Sequence, residues 1–152
     1  MDQLAIQLII GTFMIIATVI THAILLDYLI QNVKTIGKNF AKIFGRLWKS
    51  SFISMVVLYV FISHIIQIWI WAILYLFVTD ELKTFEEALY FSTSSFTTVG
   101  FGDLVLGTDW RMLSAIESAN GFLLFGWSTA FIFEIIMQIY RKESKDLEKE
   151  SR

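Results

Sequence analysis

The 152-residue chain contains no cysteine and no proline. Without cysteine there is no disulfide and no thiol chemistry, and the redox compartment is left open. Without proline no long helix can carry a proline kink. Charge is also sparse: 17% of residues are charged against 56% hydrophobic, at a mean hydropathy of +0.64. That balance is too apolar for a soluble domain of this length and reads as one integral membrane domain. No apolar stretch carries Arg or Lys at every third position, so there is no voltage-sensing helix. No phosphate-binding glycine loop, metal-ligand cluster or nucleophile–base arrangement occurs, so neither an enzyme nor a cofactor is expected. The start, Met1-Asp2-Gln3, lacks the basic region of a signal peptide, and the apolar run after it is too long for one.

Three stretches are long enough to cross a bilayer core, which needs about 20 apolar residues. They run from Leu4 to Ile30, from Phe52 to Val78 and from Met112 to Tyr140. Between the second and third lies Thr84 to Asp103, too short and too polar to span, which reads as a re-entrant segment. Lys34, Lys38, Lys42, Arg46 and Lys49 share one linker with no acid among them, which places that linker in the cytoplasm. The N-terminus and the acids Asp80, Glu81, Glu86, Glu87, Asp103 and Asp109 then lie outside, and the charged tail, residues 141–152, inside. The expected divisions are 1–30, a first membrane helix; 31–50, a cytoplasmic interfacial helix; 51–140, a unit of two membrane helices with the re-entrant segment between them; and 141–152, the tail.

The linker's basic residues fall mostly four apart, while Val33, Ile36, Phe40, Ile43, Phe44 and Leu47 recur at three and four. This is an amphipathic helix with a basic face, suited to the inner leaflet and to anionic lipid headgroups. Two roles stay open for it: a collar that transmits force or lipid charge, or a solvated helix that only sets topology.

Thr84-Phe85-Glu86-Glu87 is a capping box, so a short helix starts there and runs to about Phe96. It leads into Thr97-Thr98-Val99-Gly100-Phe101-Gly102-Asp103. A bare K+ ion needs oxygen ligands in place of its water shell, and rings of backbone carbonyls supply them. Carbonyls alternate along an ordinary strand; Gly100 and Gly102 admit the positive φ that turns them to one side.

This string, between a capped helix and a long apolar one, resembles the selectivity filter of the potassium-channel family, with GFG where GYG is commoner. The resemblance covers about Phe52 to Tyr140 and implies an all-α membrane fold: three membrane helices, a re-entrant pore helix and filter loop, and four copies around one axis. It implies K+ at the carbonyls of Thr98, Val99, Gly100 and Phe101, an inner ring from the Thr98 hydroxyl, and Asp103 at the mouth. Tyr90, Phe91 and Phe96 stand as an aromatic cuff, with Tyr90 and Phe91 where many relatives have two tryptophans. Ser94 stands where some relatives have a carboxylate, and Phe101 has no hydroxyl, so packing is expected to hold this filter more than hydrogen bonding.

The third stretch resembles the family's inner helix. Gly121 and Gly126 match two of its glycines, readable as a hinge or as small residues for close packing. Phe122, Phe125, Thr129, Phe133 and Met137 then fall near the pore-facing stripe, with Phe133 a candidate hydrophobic constriction.

Six polar residues lie inside the expected spans: His22, His64, Gln67, Glu117, Asn120 and Glu134. Glu117 and Asn120 are expected to hydrogen-bond the pore helix at Ser94, Ser95 or Thr97. Glu134 is expected to pair with Arg46 or Lys49, and Asp27 with the linker lysines. His22 and His64 read either as pH sensors or as neutral interhelical hydrogen-bonding groups. The functional expectation is a passive potassium channel, formed by a homotetramer in the cell membrane. A weakly selective cation pore and a regulatory, non-conducting subunit are the alternatives.

Overall fold

In the computed structural model the backbone is described for residues 2–150 and side chains for residues 2–141. Four α-helices follow one another: α1 Gln3–Phe44, α2 Trp48–Val78, α3 Phe85–Phe96 and α4 Arg111–Glu150. A 3-10 turn, Gly45–Leu47, joins the first two. Gly45 ends α1 at φ +49, where its lack of a Cβ admits the reversal. The helical stretches Gln3–Val78, interrupted by that turn, and Arg111–Arg141 are long and apolar enough to cross a membrane.

The expected break near residue 30 is absent. α1 continues unbroken for 42 residues, about 60 Å at 1.5 Å per residue. The basic stretch is therefore the lower third of α1 rather than a separate helix over 31–50. Its apolar residues Val33, Ile36 and Phe40 pack with Leu29 against Phe52 and Val56 of α2 and Ile135 of α4. Lys34, Lys38 and Lys42 stay exposed on the opposite face. Lys49 instead sits 5.6 Å over the Tyr140 ring, turned toward α4. At the other boundary, the α4 backbone stays helical through the first part of the tail, to Glu150.

α1 packs on both α2 and α4 along one stripe: Gln7, Gly11, Met14, Thr18, His22, Leu26 and Leu29. Three of these seven are polar, and each meets a polar group on a neighbour. Gln7 Oε1 accepts the Met112 amide at 2.9 Å, satisfying a first-turn N–H of α4 that has no helical partner. Asn120 Nδ2 donates to Thr18 Oγ1 at 2.7 Å. His22 meets Ser128 at 3.1 Å. Asn120 thus bonds α1, not the pore helix as expected. Gly11 lies against Ile116, whose flexible end occupies the place a Cβ would take.

The upper core is built around Trp71, Tyr75, Phe91, Phe96, Leu113 and Leu124. α3 wedges into it, and the closest approach is at Gly121: a Cβ there would run into the Phe96 carbonyl. This contact supports the close-packing reading of Gly121, while nothing lies within 4 Å of a Cβ at Gly126. Among the described residues, Asp27 and Glu134, both expected in ion pairs, make contacts within their own helices. Asp27 accepts from Gln31 at 2.6 Å, and Glu134 accepts from Gln138 at 3.1 Å.

Interhelical hydrogen bonds within membranes average about 0.6 kcal/mol and reach about 1.7 kcal/mol. Asn120→Ala removes one α1–α4 bond while Thr18 keeps its bond to the Met14 carbonyl. The expected cost is therefore about 1 kcal/mol, measured by reversible unfolding in mixed detergent–lipid micelles.

Candidate functional site

The site begins with the start of α3. Thr84 Oγ1 accepts the Glu87 amide at 3.1 Å, and the Glu87 carboxylate accepts the Thr84 and Lys83 amides at 3.1 and 2.7 Å. Those two backbone amides hold the Glu87 carboxyl below its ordinary value. The capping box read from the sequence is complete.

At its other end α3 releases the chain into residues 97–103. Four successive amides of this loop turn back onto the helix they have just left. Thr98 N–H donates to the Ser95 carbonyl at 2.9 Å. Val99 and Gly100 N–H both donate to the Ser94 carbonyl, at 3.0 and 3.1 Å. Phe101 N–H donates to Ser94 Oγ at 3.3 Å. In a trans peptide the N–H of one residue and the C=O of the residue before it point opposite ways. Anchoring the amides of Val99, Gly100 and Phe101 on Ser94 therefore turns the carbonyls of Thr98, Val99 and Gly100 away from α3. Ser94, read from sequence as the place of a missing carboxylate, is the point on which the loop hangs.

The backbone conformation agrees. Gly100 and Gly102 have φ +55 and +76, as expected. Thr98 has φ +61, a conformation not expected of a β-branched residue. Such a conformation costs of order 1–3 kcal/mol and persists only where the surroundings impose it.

Tyr90 supplies the bond that Phe101 does not. Its hydroxyl donates to Asp103 Oδ2 at 2.8 Å, and its ring stacks on Phe101 with 6.4 Å between centroids. That hydrogen bond, helped by the Asp103 and Leu104 amides, holds the Asp103 carboxyl below its usual value. The same bond pushes the Tyr90 phenol up. Phe91 points the other way, edge-on to Tyr75. Phe96 is also outside the cuff, buried against Phe125 and His64.

Behind α3, Glu117 is fully buried and joins two helices to α4: Ser92 of α3 at 2.5 Å and Tyr75 of α2 at 2.7 Å. The expected contact to the pore helix is present in kind, at Ser92 instead of Ser94, Ser95 or Thr97. Ser118, which the sequence reading passed over, donates to the Ser95 carbonyl at 2.8 Å. Glu81, read only as an outer acid, takes the Gly107 amide on both oxygens and fastens the loop beyond Asp103. A cavity of about 530 Å3 lies between this loop and α4, lined by Tyr90, Ser94, Asp103, Arg111 and Ser118 among others.

The proposed pore stripe divides. Phe122, Thr129 and Phe133 are exposed on one face of α4, and Met137 is half-buried. Phe125 turns inward, 4.5 Å from the His64 ring and 5.6 Å from Phe96, so it does not line that face.

Tyr90→Phe removes the donor that depresses Asp103. The carboxyl should then titrate at higher pH than in the wild type, nearer the ordinary value of about 3.9. Carbon-13 chemical shifts of labelled aspartate across pH 2 to 6 check this, and an unchanged midpoint refutes it.

A family model described as "Ion channel" matches residues 55–138. The match takes in the last three-quarters of α2, all of α3, the loop with its back-turned amides, and α4 past Phe133. No curated protein and no solved structure matches the chain. The family match, the apolar helices and this loop agree on a membrane protein of the transport class and not an enzyme: the chain belongs to the ion-channel family.

Proposed function

We propose that the chain is a subunit of a potassium-selective channel that conducts K+ passively through a homotetrameric pore. The observation that carries this reading is the anchoring of three consecutive loop amides on Ser94. It leaves the carbonyls of Thr98, Val99 and Gly100 on one side, as a column of dehydrating ligands requires. The Phe101 carbonyl and the Thr98 hydroxyl complete the set by resemblance to the family. One loop cannot surround an ion, so four copies around an axis close each ring. The exposed apolar surface of a single chain supports this assembly: Phe101 and Phe122 are each 70% exposed, and Phe133 is 63% exposed. Asp103, kept ionised by Tyr90, would concentrate cations at the entrance.

In this reading α1, α2 and α4 each cross the cell membrane, with Gln3 outside and the charged tail in the cytoplasm. Lys34, Lys38, Lys42 and Arg46 then meet anionic lipid headgroups at the inner face; Lys49, over Tyr140, stands apart from them. Phe133 and its symmetry mates form the constriction, and Gly121 and Gly126 are the places where α4 bends. The permeant ion is the one ligand required.

One observation favours a second reading, a weakly selective cation pore. The Phe101 amide is held at 3.3 Å, the longest of the four anchors, and its ring offers no hydroxyl. Purified protein in a planar bilayer between opposed KCl and NaCl solutions separates the two. A reversal potential near the potassium equilibrium value supports selectivity. A value near zero with clear current supports the weakly selective pore. Silence in a homotetramer of confirmed mass would favour a non-conducting subunit.

Ser94→Ala deletes the anchor on Phe101 and leaves those on Val99 and Gly100. A hydrogen bond of this kind contributes about 0.5–1.5 kcal/mol. The conducting loop should lose about two- to tenfold in occupancy relative to its collapsed forms, read as shorter bursts in single-channel records.

A further inference from the structure

Where α1, α2 and α4 meet, four buried side chains close a ring of hydrogen bonds. Gln67 Nε2 meets His22 Nδ1 at 2.9 Å, and His22 Nε2 meets Ser128 Oγ at 3.1 Å. Ser128 Oγ meets His64 Nε2 at 2.9 Å, and His64 Nδ1 meets Gln67 Oε1 at 3.0 Å. All four residues are 4% exposed or less. The two imidazoles stack at 5.3 Å, and Trp127 stands edge-on to His22.

The chemistry of each member fixes how the protons run. A neutral imidazole has one N–H and one bare nitrogen, a serine hydroxyl one proton and free lone pairs, and a primary amide both donors and an acceptor. Every member can give once and receive once, so the ring closes with all protons circulating in one sense. With the amide as placed, Gln67 donates to His22, His22 to Ser128, Ser128 to His64 and His64 to Gln67. Rotating the amide by half a turn reverses the sense. Either way the two histidines carry opposite tautomers, because equal tautomers leave two acceptors or two donors facing each other.

We propose that this ring is a proton-responsive latch by which α1 holds α4. An imidazolium has two N–H groups and no acceptor, so taking up one proton ends the circulating pattern: the amide must present its oxygen to the charged ring, Ser128 must accept from both rings, and its own proton must leave the ring. Among the described residues no neighbour offers a carboxylate to compensate. α1 contributes His22 alone, and α2 contributes His64, Gln67 and Ser63, whose hydroxyl lies 3.4 Å from His22 Nδ1. α3 presents Phe96, and α4 presents Phe125, Trp127 and Ser128. The other buried or half-buried titratable groups on these elements, among the described residues, are engaged elsewhere: Tyr59 with the Leu25 carbonyl, Tyr75 with Glu117, Glu87 with the Lys83 and Thr84 amides, and Lys49 over the Tyr140 ring. A charged imidazole here is a buried charge without a counter-ion, which is costly unless the site opens to water, so acid favours release of α4 from α1.

That this release acts on conduction rests on the channel reading; the latch does not. The chain has only two histidines, so nitrogen-15 spectra of histidine-labelled protein in liposomes contain four ring nitrogens. At pH 7.5 the expected result is two neutral imidazoles of opposite tautomer. Equal tautomers, or a charged ring, would overturn the closed ring. Because the chain lacks cysteine, spin labels placed at Ile20→Cys and Leu123→Cys, both exposed, report the α1–α4 separation. The distance distribution should change between pH 7.5 and 5.0 in the wild-type background. In the Ser128→Ala background, which lacks the bridging hydroxyl, it should stay constant across that range. A distribution that ignores pH in the wild type, or follows it equally without Ser128, overturns the latch. In bilayers the expected accompaniment is about a tenfold change in open probability over the same range, the equivalent of one pKa unit of linkage. A pH-sensitive separation with no current at all would leave the latch standing and defeat the channel reading instead.

Discussion

The constraint on which everything else depends is the direction of three peptide planes. A loop that presents carbonyls on one side must dispose of its amides on the other, and here Ser94 receives them with both its backbone and its side chain. The requirement propagates outward. Ser94 must be held still, so α3 is fixed at its start by the Thr84–Glu87 box and along its length by Glu117 and Ser118 of α4. It must also sit close to α4, which is why a residue without a Cβ stands at Gly121. The cost of a left-handed Thr98 falls on the same network, since no local preference of the chain supplies that conformation.

The polar residues inside the helices serve a related purpose. In a bilayer, apolar side chains gain little by leaving lipid for protein, so directional contacts decide which helix faces which. α1 carries its partners' addresses as Gln7, Thr18 and His22, one each for Met112, Asn120 and Ser128, three successive levels in the first half of α4. They give α1 a single rotational setting against a neighbour whose other face, with Phe122, Thr129 and Phe133, is left uncovered.

Much of this was legible in the sequence, and the failures have physical causes. The capped helix, the glycine pair and the apolar stretches appear where composition and spacing place them. The supposed break near residue 30 was inferred from a fall in hydropathy, yet hydropathy does not end a helix. Nothing there interrupts the three–four periodicity, and with no proline in the chain the helix continues to Gly45. Phe125 was assigned by step size to the face of Phe122 and Thr129, but three residues turn a helix through about 300°, which carries Phe125 about 60° back toward the packed side. Ser94 was measured against a carboxylate it does not replace; its use as an acceptor for following amides leaves no periodic trace. The stripe of Gln7, Thr18 and His22 did carry a signal, since the three share one helical face and no lipid-facing side would keep them.

The continuity of α1 has a mechanical consequence. A helix about 60 Å long, without a hinge, behaves as a lever, and its two ends cannot move independently. One end is bonded through Gln3 and Gln7 to Asp109 and Met112, close beyond the loop that hangs on Ser94. The other lies beyond Phe40, beside the basic side chains. A tilt of one degree about either end displaces the opposite end by about 1 Å, a distance comparable to the tolerance of a hydrogen bond. Whatever tugs at the lysines is therefore felt, undiminished by any joint, at the segment between that loop and α4.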